Sequence, residues 1–290
     1  MSSAFPVRTA RRRRRRQDPA SILGTVLIVL ALAAVSFFVL LPVLWMISAS
    51  FRTNGDLASH PGTLWSTSFT LDNYLNVWSR IPLAKQFLNT IVFAGSVTVL
   101  SVLIDGMAGY ALARFRFRGQ TVLFVAIIAT LIIPIQATFI PVYNLLVDLH
   151  WLNTFHGLVL PRIADAFGIF FFRQFFLALP KDLEDAARID GASEFRIFAR
   201  IMFPLASPAV LTIGMFNLLA NWNDLLWPLL VTTNDDMRTL PAGLALFKGQ
   251  HSTDYGMLMA GGILALLPMV IAFVIVQRRF IAGIATTGMK

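Results

Sequence analysis

The chain alternates between long apolar runs and short polar connections. Residues 20–51 carry no charge at all. A polar stretch at 52–85 follows, with Trp65, Tyr74 and Trp78 set in it. The next run starts near Phe87 and reaches about Ala113, interrupted only by Asp105. A third occupies 121–146 and contains Pro134 and Pro141, which predict kinks or helix ends. A fourth, 157–177, is punctured by Arg162, Asp165 and Arg173. The fifth runs over 208–230, and the sixth, 255–277, is free of charge and stops at Arg278-Arg279. Each has about the 20 residues that a helix needs to cross a bilayer. The pattern predicts an all-α polytopic membrane protein with six transmembrane helices.

Composition agrees. The 290 residues are 57% hydrophobic and 13% charged, against roughly 25% charged in soluble domains. A net charge of +9 suggests nucleic acid until it is located: Arg8 and Arg11 to Arg16 supply seven positive charges within the first 17 residues, and the remainder is near balance. Beside so apolar a chain, the arginine run reads as a cytoplasmic anchor toward anionic headgroups rather than a nucleic-acid patch. No twin-arginine continuation follows it, and the first apolar run is too long for a signal peptide, so it reads as retained. With the N-terminus inside, eighteen of the 24 lysines and arginines fall on the inner side and five on the outer, with Arg162 unassigned. Both termini and residues 180–208 are therefore expected in the cytoplasm. Cysteine is absent, which removes disulfide and thiolate chemistry.

Residues 180–208 are the most charged part of the chain between its ends. Two short helices are legible there. Leu183, Ala186 and Ala187 recur at helical spacing, Gly191 interrupts, and Phe195, Phe198, Ile201 and Met202 recur after Ser193, a candidate cap. An amphipathic helix resting on lipid and a docking element for a soluble partner both fit that pattern. No phosphate-cradling G-x-x-x-x-G-K-[ST] motif, H-E-x-x-H or G-x-S-x-G occurs, and His60, His150, His156 and His251 are scattered in or near external loops. Catalysis, ATP binding and metal binding by this chain alone are not expected.

Asp185-Ala-Ala-Arg-Ile-Asp-Gly191, with Ile201, Pro204 and Leu205 beyond it, resembles the EAA loop of bacterial ABC importer permeases, with Asp185 where the family carries Glu and Glu184 before it. Asn89-Thr90, Gly109-Tyr-Ala-Leu-Ala-Arg114, Asn221-Trp-Asn-Asp-Leu-Leu-Trp-Pro228, Thr239-Leu-Pro-Ala-Gly243, Met259-Ala-Gly261 and Gln277-Arg-Arg-Phe280 continue the resemblance over nearly the whole chain, toward the carbohydrate-uptake branch. It implies a basic tail (1–19), a six-helix permease domain (20–280) with a coupling loop at 180–208, and a cytoplasmic tail (281–290) that touches the ATPase. It implies a multi-pass protein of the bacterial inner membrane with three protein partners: a second permease subunit, an ATPase dimer that carries ATP and Mg, and an extracytoplasmic solute-binding protein. No cofactor is expected in this chain.

The resemblance assigns ATPase coupling to Glu184, Asp185, Ala186, Ala187, Asp190, Gly191, Phe195 and Phe198. Gly191 is expected either where a side chain collides or where the backbone angle disfavours one. Polar groups within spans normally face a partner or a cavity. Gln136, Asn217, Asn221 and Trp222 are thus candidates for a sugar path, with interhelical hydrogen bonding as the ordinary alternative. The expected solute is a mono- or oligosaccharide, with glycerol 3-phosphate next. From other classes, an ion-coupled transporter has Asp105 as its one mid-membrane carboxylate, and a membrane enzyme lacks any catalytic cluster.

Overall fold

The computed structural model describes residues 19–65, 68–249 and 253–287, with backbone alone for 19–22, 276 and 278–287. The arginine run at 11–16, His251 and the terminal Gly288-Met-Lys290 lie outside the described residues. The chain divides into two compact units between Met46 and Ile47.

The first unit is essentially one helix, most of α1 (Pro19–Ser50). Its side chains are apolar and exposed around the whole circumference, as Leu32, Phe38 and Val39 illustrate. A helix hydrophobic all round is built for lipid or for other membrane helices.

In the second unit, α2 (Asn54–Ser59) and α3 (Asp72–Arg80) precede α4 (Leu83–Arg114), which at 32 residues spans without a break. The third apolar run is broken: α5 (Gln120–Thr130) and the stretch Ile135–Asp148, which ends in α6 (Phe139–Asp148), meet at 95°. Pro134 sits at that break, and Pro141 lies in the first turn of α6, where its missing N–H costs nothing. The fourth run is bent as well. Phe155–Arg162, beginning with α7 (Phe155–Val159), joins α8 (Ala166–Ala178) at 44°. Two of the three charges that puncture it lie at the bend, with Arg173 within α8: Arg162 ends a 3-10 turn, and Asp165 caps α8 by accepting from the Phe167 and Gly168 amides.

After α8 come α9 (Asp182–Ile189), α10 (Glu194–Ile197), one π turn at Phe198–Met202 and α11 (Phe203–Leu205). Then follow α12 (Ser207–Trp222), α13 (Leu226–Val231), α14 (Leu240–Leu244) and α15 (Tyr255–Thr287). Among the described residues three unbroken helices are long and apolar enough to cross a membrane, and up to six spans result when each bent pair counts as one. No strand occurs among the described residues.

Helix α4 is the axis of this unit. Its C-terminal half meets α8 at very close range, because a Cβ on Gly109 would lie 2.6 Å from Phe172 Cβ and 2.9 Å from the Arg173 nitrogen. Gly168 of α8 sits directly against the Asp105 carboxylate of α4. Small residues that let backbones approach are the usual solution where lipid removes the hydrophobic drive between helices. Around this crossing Tyr110, Phe172, Phe176, Ile197, Phe198 and Met202 form one buried cluster, so the 180–208 segment shares its core with the membrane bundle. At the opposite end, Asn89 donates to the carbonyls of Asp236 and Arg238, and Thr90 accepts from the Leu240 amide, which fastens the loop before α14 to α4.

Gly109→Ala forces a methyl into the α4–α8 contact and is expected to cost about 1–3 kcal/mol, read as a fall of several degrees in the melting midpoint of the detergent-solubilised protein. Gly95→Ala in the same helix has open space within 4 Å and is expected to leave that midpoint unchanged or higher.

Candidate coupling surface and solute path

Helix α9 ends as a Schellman motif. The Gly191 amide donates to the Arg188 carbonyl at 3.0 Å and the Ala192 amide to the Ala187 carbonyl at 3.0 Å. That geometry needs a left-handed residue, and Gly191 supplies it with φ +80°. Of the two reasons expected for glycine, the angle is the one present: a Cβ there meets nothing within 4 Å. Ser193 takes the extended N-cap conformation before α10, but its side chain makes no capping bond.

The segment has two faces. Glu184, Ala187 and Phe198 point inward: Glu184 is 2% exposed, Ala187 packs into the buried cluster, and the Phe198 ring makes tilted and edge contacts with Tyr110, Phe176 and Phe203. Asp185, Ala186, Asp190, Gly191 and Phe195 point outward. Ile189 joins them at 88% exposure, beside Phe195 at 72%. The pattern missed Ile189 because it was read for apolar residues facing in; a lone isoleucine on the charged side of a short helix is the signal it offered.

Arg188 organises the outer edge. Its guanidinium lies 2.8 Å from Asp185 Oδ1 and 2.7 Å from Glu194 Oε1, tying α9 to α10. Beneath it, Arg114 Nε stands 2.8 Å from Glu184 Oε1, both side chains almost fully buried. This is a charge contact rather than an aligned hydrogen bond. Arg114 also donates from Nη2 to the Leu179 carbonyl at 2.8 Å. Burial holds the Glu184 carboxyl above its ordinary range, with Arg114 and Arg188 pulling it the other way. An upward shift contributes stability that is complete below the unfolded pKa and lost as pH rises through the folded one.

The solute-path candidates separate. Asn217 donates to Ser101 Oγ at 3.0 Å, and Ser101 donates to Asp105 Oδ2 at 2.6 Å. Asn221 donates to the Asn217 carbonyl at 2.8 Å and accepts from Arg162 at 3.5 Å, while Arg162 reaches Asp224 at 2.8 Å. Asn217 and Asn221 therefore stand in one polar chain linking α12 to α4 and to the bend before α8. Asp105 accepts from both Ser101 and the Asp165 amide. Trp222 is buried, with Nε1 donating to the Ala265 carbonyl at 3.0 Å. Gln136 has no part in this chain among the described residues and sits exposed in the 3-10 turn between α5 and α6. A hollow of about 860 Å³ between α3, α4, α14 and α15 is lined by Trp78, Leu83, Phe87, Leu240, Leu264 and Pro268 among other apolar residues. Such a lining offers a sugar almost no hydrogen-bonding groups.

Comparison with known proteins supplies what geometry does not. Residues 105–285 match the model of the family described as the binding-protein-dependent transport system inner membrane component. The arabinooligosaccharides transport system permease protein AraQ of Halalkalibacterium halodurans is 38% identical over 267 residues, covering 91% of this chain and 96% of that one. The diacetylchitobiose uptake system permease protein NgcG of Streptomyces coelicolor is 34% identical, over 87% and 84%. The sn-glycerol-3-phosphate transport system permease protein UgpE of Escherichia coli is 31% identical, over 91% and 95%. In fold, the chain is similar to one from the crystal structure of a bacterial ABC transporter that imports alginate, with a TM-score of 0.75, 21% identity, and coverage of 96% of this chain and 100% of that one. Permease subunits of this kind are not enzymes. The chain belongs to that family and is an inner-membrane, multi-pass permease subunit of a binding-protein-dependent ABC import system.

Proposed function

We propose that this permease forms half of the translocation path for a mono- or oligosaccharide and takes its movement from an ATPase pair through residues 180–208. The observation that carries the coupling is the division of that segment into a locked inner face and an outer face bearing Asp185, Ala186, Ile189 and Phe195. Exposed Ile189 and Phe195 on a segment that the charge asymmetry assigns to the cytoplasm are apolar anchors for a soluble partner. ATP and Mg belong to that partner. Closure of the ATPases carries α9 with it, and the bundle alternates between inward and outward openings. A binding protein delivers solute from outside, and both termini lie in the cytoplasm.

The second permease subunit is supported by the third span. Helices of 11 and 10 residues are each too short to cross alone, so their 95° break falls at membrane depth. Irregular backbone is tolerated there only where protein covers it or where it lines a cavity. Ile132, 85% exposed at that break, therefore marks a face for the other half of the pore.

Sugar is favoured over glycerol 3-phosphate by the state of the nearest cation. Arg162 beside the Asn217–Asn221 chain is already matched by Asp224 and lies over the Trp227 ring. A phosphate would need that pair broken, whereas a sugar needs the neutral amides of Asn217, Asn221 and Gln136. The relatives at 38% and 34% identity are described as transporting oligosaccharides.

The test reconstitutes the chain with its partner permease, ATPase and binding protein. The ATPase is expected to remain bound through detergent purification; its absence favours an ion-coupled mechanism. Within that complex, Gly191→Val places a β-branched side chain at φ +80°, at a cost of about 1–2 kcal/mol or more. It is expected to lower sugar uptake strongly with the protein still in the membrane. Gly191→Asn, which tolerates the left-handed region, is expected to retain most uptake. Equal loss in both variants would show that the partner, rather than the backbone angle, excludes a side chain.

A further inference from the structure

Two carboxylates stand side by side at the start of the coupling segment, and they face opposite ways. The Asp185 side chain is 64% exposed, whereas the Glu184 side chain is 3% exposed. Opposite Glu184 is Arg114, the last residue of the 32-residue α4, with a side chain 2% exposed. Arg114 joins three elements at one point: its own helix, the Glu184 carboxylate of α9, and the Leu179 carbonyl that ends α8. Each charge also suits its helix end. Glu184 lies in the first turn of α9 and meets the positive end of that dipole, while the guanidinium meets the negative end of α8.

We infer that Arg114 and Glu184 are positioning residues for transport: their buried pair joins α9 to α4, so that displacement of the coupling segment is delivered to the axis of the bundle. This rests on the proposed coupling role of residues 180–208. Two observations favour a mechanical joint over a stabilising contact. A buried ion pair is a poor source of stability, since desolvation offsets its attraction, and burial already raises the Glu184 carboxyl despite the two arginines. What such a pair supplies instead is register, because a charge buried beside one partner resists sliding to another position. Arg114 is also the one link here that reaches α4, α8 and α9 together, while Arg188 ties α9 only to itself and to α10.

The experiment uses the full complex in proteoliposomes, with ATP hydrolysis and solute uptake measured on the same sample. Arg114→Gln, Glu184→Gln and the double variant are each expected to retain ATPase through purification. Each is expected to lower the solute moved per ATP about tenfold, the double variant no further than either single one, since the two groups act as one contact. An unchanged ratio in the single variants, or losses that multiply in the double, would overturn the inference. Should the Gln variants be lost from the membrane, Glu184→Asp keeps the charge and withdraws it by one methylene. A lowered ratio then supports the joint, and a normal ratio removes it. If the unaltered complex never retains its ATPase, the coupling reading itself has failed. If it does retain it and the variants couple normally, only the role of the pair falls.

Discussion

Within a bilayer every polar group must find its partner inside protein, and that constraint shapes the described bundle around α4. Ser101 and Asp105 lie in the middle of a helix that crosses the membrane, and both are fully buried. Their needs are met from two directions: Asn217 on α12 donates to Ser101, and the Asp165 amide at the head of α8 donates to Asp105. Those bonds fix where α8 begins and how α12 is rotated. The glycines at 109 and 168 then allow the backbones to come close enough for them to form. Packing and polar satisfaction are thus the same event here, since neither the bonds nor the contact survives a larger side chain at the crossing.

The unbroken spans were legible because their chemistry is one-dimensional. α1, α4 and α15 are long apolar runs, and length alone identifies them. The broken spans were legible as hydrophobic segments but not as bends. Pro134 marked one, yet its angle of 95° depends on what α6 packs against, which no local pattern encodes. In the fourth span Arg162 and Asp165 looked like faults in a helix. They prove to be the turn and the cap of two shorter ones, with Asp165 accepting from the Phe167 and Gly168 amides. A charge in an apolar run is as much a boundary signal as a functional one.

Side-chain direction was the harder quantity. Phe195 and Phe198, three positions apart, read as one stripe, but they part into an exposed and a buried ring at the edge of the packed face. Glu184 and Asp185 were indistinguishable by type; the helix phase of α9 separates them by facing one toward Arg114 and the other outward. The amides of Asn217 and Asn221 could serve a solute or a neighbouring helix. Asn217 bonds between helices, from its Nδ2 to Ser101 on α4, whereas the Nδ2 of Asn221 bonds within α12 to the Asn217 carbonyl and its Oδ1 accepts from Arg162. For Asn217 that leaves room for a second role, since its amide carries an acceptor oxygen as well.

If residues 180–208 couple to an ATPase as proposed, their chemistry follows from having to serve two surfaces with about thirty residues. The inner surface must move with the bundle, so it is made of aromatic and aliphatic groups continuous with the core around Phe172 and Phe176. The outer surface must release and re-engage, so it keeps exposed charge around small apolar anchors. A purely apolar inner face would hold the segment but give it no directional contact to fix its register. As a joint, the buried Arg114–Glu184 pair at the end of α4 would remove that freedom at little net gain in stability. Rigidity at the joint and softness at the docking face are complementary requirements, and the neighbouring carboxylates of Glu184 and Asp185 divide them between two successive residues.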